Sequence, residues 1–143
     1  MSQIKPFEFF IKQGIVRKHQ PDSSRSQFLQ KEAEASYRAL QKRVSVLGFD
    51  DDSANSIVKD CYDILMELIR AEMLIQGFHA SGNGAHEAEV AYFREKGTKE
   101  VDVQFLNDMR YFRNGILYYG KILTLEYART VYEFTTNHYE KLR

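Results

Sequence analysis

A short segment near the C-terminal end of the chain carries the residues best suited to chemistry. Residues 107–121 have the sequence NDMRYFRNGILYYGK, in which two arginines and an asparagine interrupt an otherwise apolar helical pattern. Arg110, Asn114 and Tyr118 are spaced four residues apart, which places them close together around a helix. Arg113 lies about 60° from Arg110 on the same side of that helix. These side chains therefore share one surface.

The chemistry of this surface favours a phosphate ligand. The guanidinium group of arginine is a planar fork of hydrogen-bond donors that matches phosphate oxygens. The asparagine amide can donate and accept a hydrogen bond beside it. The spacing therefore predicts a phosphate-binding or RNA-binding site formed by Arg110, Arg113 and Asn114.

The same pattern is also typical of a structural surface. Arginine and asparagine on one helix face are common where the face is solvated or forms a ladder of ion pairs. Asp108, Glu126 or Glu133 could neutralise an arginine in such a ladder. In that case the chain is a helical bundle that contacts a partner protein.

The element that must position these residues is predicted to be a helix from about Val101 to Gly120. Its apolar face is expected to pack into the protein and consists of Phe105, Met109, Phe112 and Ile116. The polar side is then expected to face solvent or a second subunit, with the guanidinium of Arg113 free to bind a polyanion.

Patterns of the same period predict the other helices. They run from Pro6 to about Val16, from Ser24 to Gly48, from the acidic run at 50–52 to Gly77, from Ala85 to Lys96, and from the N-cap Thr124 to Leu142. No stretch alternates strictly between apolar and polar residues, so no strand is predicted. We therefore expect an all-α, up-and-down helical bundle of about five to six helices, in a single domain over residues 1–143.

Composition is typical of one compact domain and excludes several classes of protein. The 143 residues are 43% hydrophobic and 28% charged, and twenty basic residues balance twenty acidic ones. A net charge of zero provides no general attraction for nucleic acid, so an RNA contact must be local. The single cysteine, Cys61, is expected in the core and cannot form an internal disulfide. With no signal peptide and no long apolar segment, we expect a cytoplasmic protein that does not enter a membrane.

The histidines form no recognisable metal motif. His79 and His86 flank the glycine-containing sequence HASGNG, with Glu87 and Glu89 after them, and this spacing predicts a surface loop rather than a metal site. His19 and His138 are expected at helix ends or in solvent. No phosphate-binding loop or dinucleotide fingerprint is present, so neither a metal nor a cofactor is predicted.

Three segments of the chain resemble the HEPN domain family, the higher eukaryotes and prokaryotes nucleotide-binding domains. The family's hallmark is an arginine followed four to six residues later by a histidine, often with Asn, Asp or His directly after the arginine. RNGILYYG, which begins at Arg113, is similar to the first half of this motif. GIVRKHQPDSSRSQFLQKEAEASYRAL and YDILMELIRAEMLIQGFHASGNGAHEAEVAYF are similar to the family's first long helix and middle region.

The resemblance implies a HEPN-like bundle in which Arg113 and Asn114 lie in a cleft at a two-fold homodimer interface and contact an RNA phosphate. Active members are metal-independent endoribonucleases, and many are toxins paired with a minimal nucleotidyltransferase antitoxin. This sequence has Tyr118 where the family has its histidine and Gly120 where some members carry a modified tyrosine. Tyrosine, with a pKa of about 10, is a poor proton acceptor at neutral pH.

The first hypothesis for function is therefore a dimer that binds RNA or nucleotide phosphate and forms a toxin–antitoxin-like pair with a small nucleotidyltransferase. The alternative is an active endoribonuclease with Arg113, Asn114 and Tyr118 as catalytic residues. The third hypothesis is the structural bundle described above.

Overall fold

The computed structural model describes residues 3–120 and 122–143, except the side chains of Leu117 and Tyr118. The protein is an all-α bundle with 72% of its residues in helices. The described residues form six helices and one small sheet: α1 (Phe7–Lys12), β1 (Val16–Lys18), α2 (Ser23–Leu47), α3 (Ala54–Ile75), β2 (Phe78–Ala80), α4 (Ala85–Glu95), α5 (Glu100–Tyr119) and α6 (Leu125–Leu142). The prediction of about five to six helices is confirmed.

Helix α3 is the centre of the bundle. It packs against α2, α4, α5 and α6, and 13 of its 22 residues are buried. A helix that is apolar around most of its circumference must be surrounded by neighbours in this way. Cys61 on α3 is fully buried, as predicted, and its burial raises the pKa of the thiol to about 12.

Local capping signals set the helix boundaries. Asp22 accepts a hydrogen bond from the backbone N–H of Arg25 at the start of α2. Thr124 accepts one from Tyr127 in the same way at the start of α6. Helix α5 ends at Gly120, which adopts the left-handed conformation with φ of 65°. These boundaries agree with the sequence prediction within one or two residues.

The prediction that the chain contains no strands is wrong. Strands β1 and β2 pair antiparallel, with Val16 opposite Ala80, and α1 ends at Lys12 rather than near Val16. Both strands are only three residues long and lie about sixty residues apart in the chain. Because no short turn connects them, the sequence carries no hairpin signal that would predict their pairing. The sheet holds the segment before α4 against the N-terminal region. The surface loop predicted at HASGNG is therefore wrong for the residues of β2 and right for residues 81–84, which lie between β2 and α4.

No helix among the described residues is both long and apolar enough to cross a membrane.

Candidate functional site

The buried face of α5 differs from the predicted one. Its fully buried apolar residues are Val103, Leu106 and Met109, and Arg113 continues this line four residues later. Three of the four residues predicted to pack inward, Phe105, Phe112 and Ile116, are only half-buried. The arginine lies on the packing side because its methylene stem and flat guanidinium can cover apolar surface. The polar stripe is therefore half-buried rather than turned to solvent.

Arg113 is paired within its own chain. Its Nη2 donates a hydrogen bond to Oδ1 of Asp63 on α3 at 3.1 Å, and its guanidinium lies over the ring of Tyr62, 5.4 Å from the ring centre. The free guanidinium expected at this position is not found. The partner is also not Asp108, Glu126 or Glu133, the acids considered for an ion-pair ladder. An acid fifty residues earlier in the chain holds this side chain.

A cavity of about 380 Å³ opens beside this pair between α3, α4 and α5. We call it the Arg113 cleft. Its polar lining consists of Tyr62, Asp63, Glu67 and Arg70 from α3, His86 from α4, and Arg113 from α5.

The hydrogen bonding of Arg113 is incomplete, unlike that of Arg70. Arg70 donates from both Nε and Nη2 to the two carboxylate oxygens of Glu89, at 2.8 and 3.0 Å. Arg113 donates from Nη2 to Asp63, whereas its buried Nε has no hydrogen-bond partner among the described residues. The buried hydroxyl of Tyr62 also has none within that part of the chain. Two buried polar atoms beside the cleft, Arg113 Nε and the Tyr62 hydroxyl oxygen, therefore have unused hydrogen-bonding capacity.

Glu89 connects Arg70 with His86. The Glu89 side chain is almost fully buried, and its Oε1 lies 3.5 Å from Nδ1 of His86. Burial alone would raise the pKa of Glu89, but hydrogen bonds from His86 and Arg70 outweigh it and hold that pKa below its ordinary value. The carboxylate is therefore ionised in the folded protein.

Two ion pairs neutralise the arginines of the cleft. Glu89 matches the charge of Arg70 in a buried, bidentate pair, whereas the pair of Asp63 and Arg113 is half exposed. Glu67 adds a further carboxyl group, whose pKa is raised by burial. A phosphate must therefore compete with Asp63 for Arg113. Exposed ion pairs contribute about 0.2–1 kcal/mol, which is a weak barrier to such exchange.

The other predicted site residues do not join Arg113 in the cleft. Arg110 is half-buried and donates from Nε to the Asn107 side chain at 3.0 Å. Asn114 is half-buried on α5, and neither it nor Arg110 is among the described residues that line the cleft. The side chain of Tyr118 lies outside the described residues, so its catalytic role stays a prediction.

Sequence reasoning missed most of the residues that surround Arg113. A usable signal was present on α3, where Asp60, Asp63, Glu67 and Arg70 follow at intervals of three or four residues and form a polar line along an apolar helix. His86 and Glu89 are three residues apart on α4, which is a second signal of the same kind.

The other histidines lie outside the Arg113 cleft, and one of them is buried where solvent exposure was expected. His138 is buried rather than solvated; its Nε2 lies 3.3 Å from Asp102, and burial lowers its pKa. His79 lies in β2 with its ring 6.0 Å from that of His19, away from the Arg113 cleft.

Fold and site together define an all-α bundle with an arginine-containing cleft on its central helix. No family model, curated protein or solved structure matches the chain. The function is therefore argued from the cleft and from the residues around it.

Proposed function

We propose that the chain is a HEPN-like module that binds RNA or nucleotide phosphate at the Arg113 cleft. The observation that carries the proposal is that only one of two adjacent donors of Arg113 is used. Its Nη2 donates to Asp63, whereas its buried Nε has no hydrogen-bond partner among the described residues. The Nε and Nη2 hydrogens point the same way and match two oxygens of one phosphate. The ring of Tyr62 lies against the guanidinium, 5.4 Å from its central carbon, and attracts its positive charge.

We expect Asp63 to accept, in the absence of a ligand, the Arg113 hydrogen bond that a phosphate accepts when it is bound. Its side chain is 50% exposed and that of Arg113 is 24% exposed, so the carboxylate can swing into solvent when a ligand arrives. The phosphate then accepts from Nη2 and, after the guanidinium has turned to expose its buried Nε, from Nε as well, in the way that Glu89 accepts from Arg70. Replacing a single contact with a bidentate one favours the phosphate-bound state.

A homodimer is the second part of the proposal. Large apolar side chains are exposed near the C-terminal end of α5, with Tyr119 at 79% and Ile122 at 84%, and Tyr111 lies on the same helix. Exposed apolar groups at one end of a helix are typical of an interaction surface. A second copy of the chain would cover them and supply another wall close to Arg113.

The biological setting is proposed from the resemblance alone. The sequence RNGILYYG, beginning at Arg113, favours a cytoplasmic toxin–antitoxin-like pair with a small nucleotidyltransferase as partner.

Titration of a fluorescently labelled single-stranded oligoribonucleotide tests the binding proposal. Arg113→Ala is expected to weaken binding by about 10- to 100-fold, the value of a charged hydrogen-bonding group, and to reduce the salt slope by about 0.7. Arg129→Ala is the matched control, because it removes the same charge from an exposed position on α6. Equal affinities for wild type and Arg113→Ala would refute the proposal, as would an equal loss in both variants.

A further inference from the structure

The turn before α4 contains a side chain that can react with its own backbone. Asn83 is exposed in the segment between β2 and α4, and Gly84 follows it directly. In an Asn–Gly pair, the backbone nitrogen of the glycine can attack the amide carbon of the asparagine side chain and close a ring. Glycine favours this step because it has no Cβ to obstruct the approach and restricts the backbone least. Asn83 is therefore a candidate site of covalent modification.

The turn around Asn83 leaves the nitrogen of Gly84 free to move. The backbone N–H of Ala85 donates to the carbonyl of Gly82 at 3.2 Å and closes the turn, whereas the N–H of Gly84 donates to no backbone carbonyl among the described residues. Gly84 has φ of 88° and ψ of −1°, and no described residue other than glycine has a positive φ, so the turn is of type II. Because glycine accepts φ of either sign, the peptide between Asn83 and Gly84 can rotate toward the side chain.

A second Asn–Gly pair in the chain provides an internal comparison. Asn114 and Gly115 lie inside α5, and Gly115 is buried there. A helical backbone engages the nitrogen of each interior residue in a hydrogen bond and keeps it away from the preceding side chain. Ring closure at Asn114 therefore requires that this part of α5 first open locally. The same dipeptide is exposed to reaction at one position and protected at the other.

We propose that Asn83 is a self-modification site, which deamidates in the folded chain through attack by the backbone nitrogen of Gly84. The inference is independent of RNA binding at the Arg113 cleft. It assigns a covalent change to the connection between β2 and α4, whereas Asn114 on α5 keeps its amide.

Water is the only other reactant. The nitrogen of Gly84 loses its proton to solvent and forms a bond to Cγ of Asn83, and the side-chain nitrogen takes up a proton and leaves as ammonia. Water then opens the resulting succinimide at one of its two carbonyl carbons. Attack at Cγ restores the original backbone and gives aspartate. Attack at the main-chain carbonyl carbon gives isoaspartate, in which the backbone runs through the side chain.

Both products change the connection that leads into α4. They place a negative charge just before the helix, three residues from His86 on the Arg113 cleft, and such a charge is favourable at a helix N-terminus. Isoaspartate also adds a methylene group to the backbone. The connection is held by the bond from Ser81 N–H to the Ile15 carbonyl at 3.1 Å and by the first helical bond, from Ala88 N–H to the Gly84 carbonyl at 3.0 Å. Both bonds can be kept only if the turn between them rearranges.

Peptide mapping by mass spectrometry, after incubation of the folded chain at mildly alkaline pH, tests the proposal. Trypsin cuts after lysine and arginine, so residues 71–94 carry Asn83 and residues 114–121 carry Asn114 in separate peptides. Digestion at mildly acidic pH keeps ring closure slow. The peptide of residues 71–94 is expected to gain about one dalton and to separate into an aspartate and an isoaspartate form. Asn114 is expected to react more than about tenfold more slowly, because α5 must open first.

Two controls assign the mass gain to the residue and to the fold. Asn83→Ser removes the reactive amide from an exposed turn, is expected to fold like wild type, and should leave the mass of residues 71–94 unchanged. In chain unfolded with guanidinium, Asn83 and Asn114 are expected to react at similar rates. Hydrogen exchange in the first turn of α4 is expected to be faster in the isoaspartate form than in Asn83→Asp, which carries the charge without the added methylene.

The outcomes that contradict the proposal are distinct. Equal rates at Asn83 and Asn114 in the folded chain would overturn it, because the fold would then not distinguish the two pairs. An intact Asn83 in folded chain, under conditions that modify the unfolded chain, would overturn it as well. A mass gain that persists in Asn83→Ser would place the reaction at another residue. Equal hydrogen exchange in the isoaspartate form and in Asn83→Asp would refute the effect on α4.

Discussion

Replacing Asp63 with asparagine is expected to tighten the binding of RNA at the Arg113 cleft. The aspartate holds Nη2 of Arg113 at 3.1 Å, and the phosphate must displace it. Asparagine has almost the same size but carries no charge, so it competes more weakly for the guanidinium. It also removes a negative charge that would repel the incoming phosphate.

The size of the effect follows from the geometry of the pair. With side-chain exposures of 24% and 50%, the pair contributes about 0.2–1 kcal/mol that a ligand must overcome. A phosphate charge about 6 Å from the carboxylate is repelled by about 0.7 kcal/mol in a water-like dielectric. The sum is about 1–1.7 kcal/mol, which corresponds to a roughly 5- to 20-fold lower dissociation constant.

Fluorescence titration of Asp63→Asn against wild type at low salt measures this change. Asp60→Asn is the matched control, because Asp60 lies one turn earlier on α3 and is paired with Arg43 instead. The control is expected to change the affinity by less than about twofold. The double variant Asp63→Asn with Arg113→Ala is expected to bind within about threefold of Arg113→Ala, because the gain from freeing the guanidinium is lost and only the relief of repulsion, about 0.7 kcal/mol, remains. Unchanged affinity in Asp63→Asn, or the same gain in Asp60→Asn, would refute the claim that Asp63 competes with the phosphate for Arg113.

Two further predictions concern stability and assembly. Glu89→Gln is expected to lower the free energy of unfolding by about 3 kcal/mol at neutral pH, because it removes the ionised partner of half-buried Arg70. Since the pKa of Glu89 is lowered in the folded chain, its contribution is present above the ordinary value of 4.5 and is lost as pH falls through the native pKa. Urea unfolding of both proteins at several pH values measures this, and a gap that stays constant into acid would contradict it. Sedimentation is expected to give twice the 16.8 kDa chain mass, with Tyr119→Ser shifted toward one chain; a wild-type mass of one chain would reject the dimer.

The helices were predictable because their signals are local. Asp22 and Thr124 cap helices through hydrogen bonds to residues three positions away, and Gly48 and Gly120 end helices with positive φ. The strand pairing was not predictable in this way. It joins residues on opposite sides of two long helices, and three-residue strands have no pattern of their own.

At the candidate site, Arg113 was predictable from the sequence, but the residues that surround it in the cleft were not. The spacing around Arg113 is visible in the sequence, whereas its contacts with Tyr62 and Asp63 depend on how α5 packs against α3. Periodicity treats arginine as a polar residue and so places it toward solvent. A guanidinium that lies over an aromatic ring behaves differently, because its flat face can be covered while its edge still donates hydrogen bonds.

The central claim is that Arg113 contacts the phosphate of a bound RNA, and nuclear magnetic resonance of the arginine Nε–H groups tests it most directly. The Arg113 signal is assigned by its loss in Arg113→Lys, and the single-stranded oligoribonucleotide is then titrated into ¹⁵N-labelled wild-type chain. The account predicts a large shift of the Arg113 signal while that of Arg129 on α6 stays in place. An Arg113 signal that remains unchanged when the oligonucleotide has saturated the chain would contradict it.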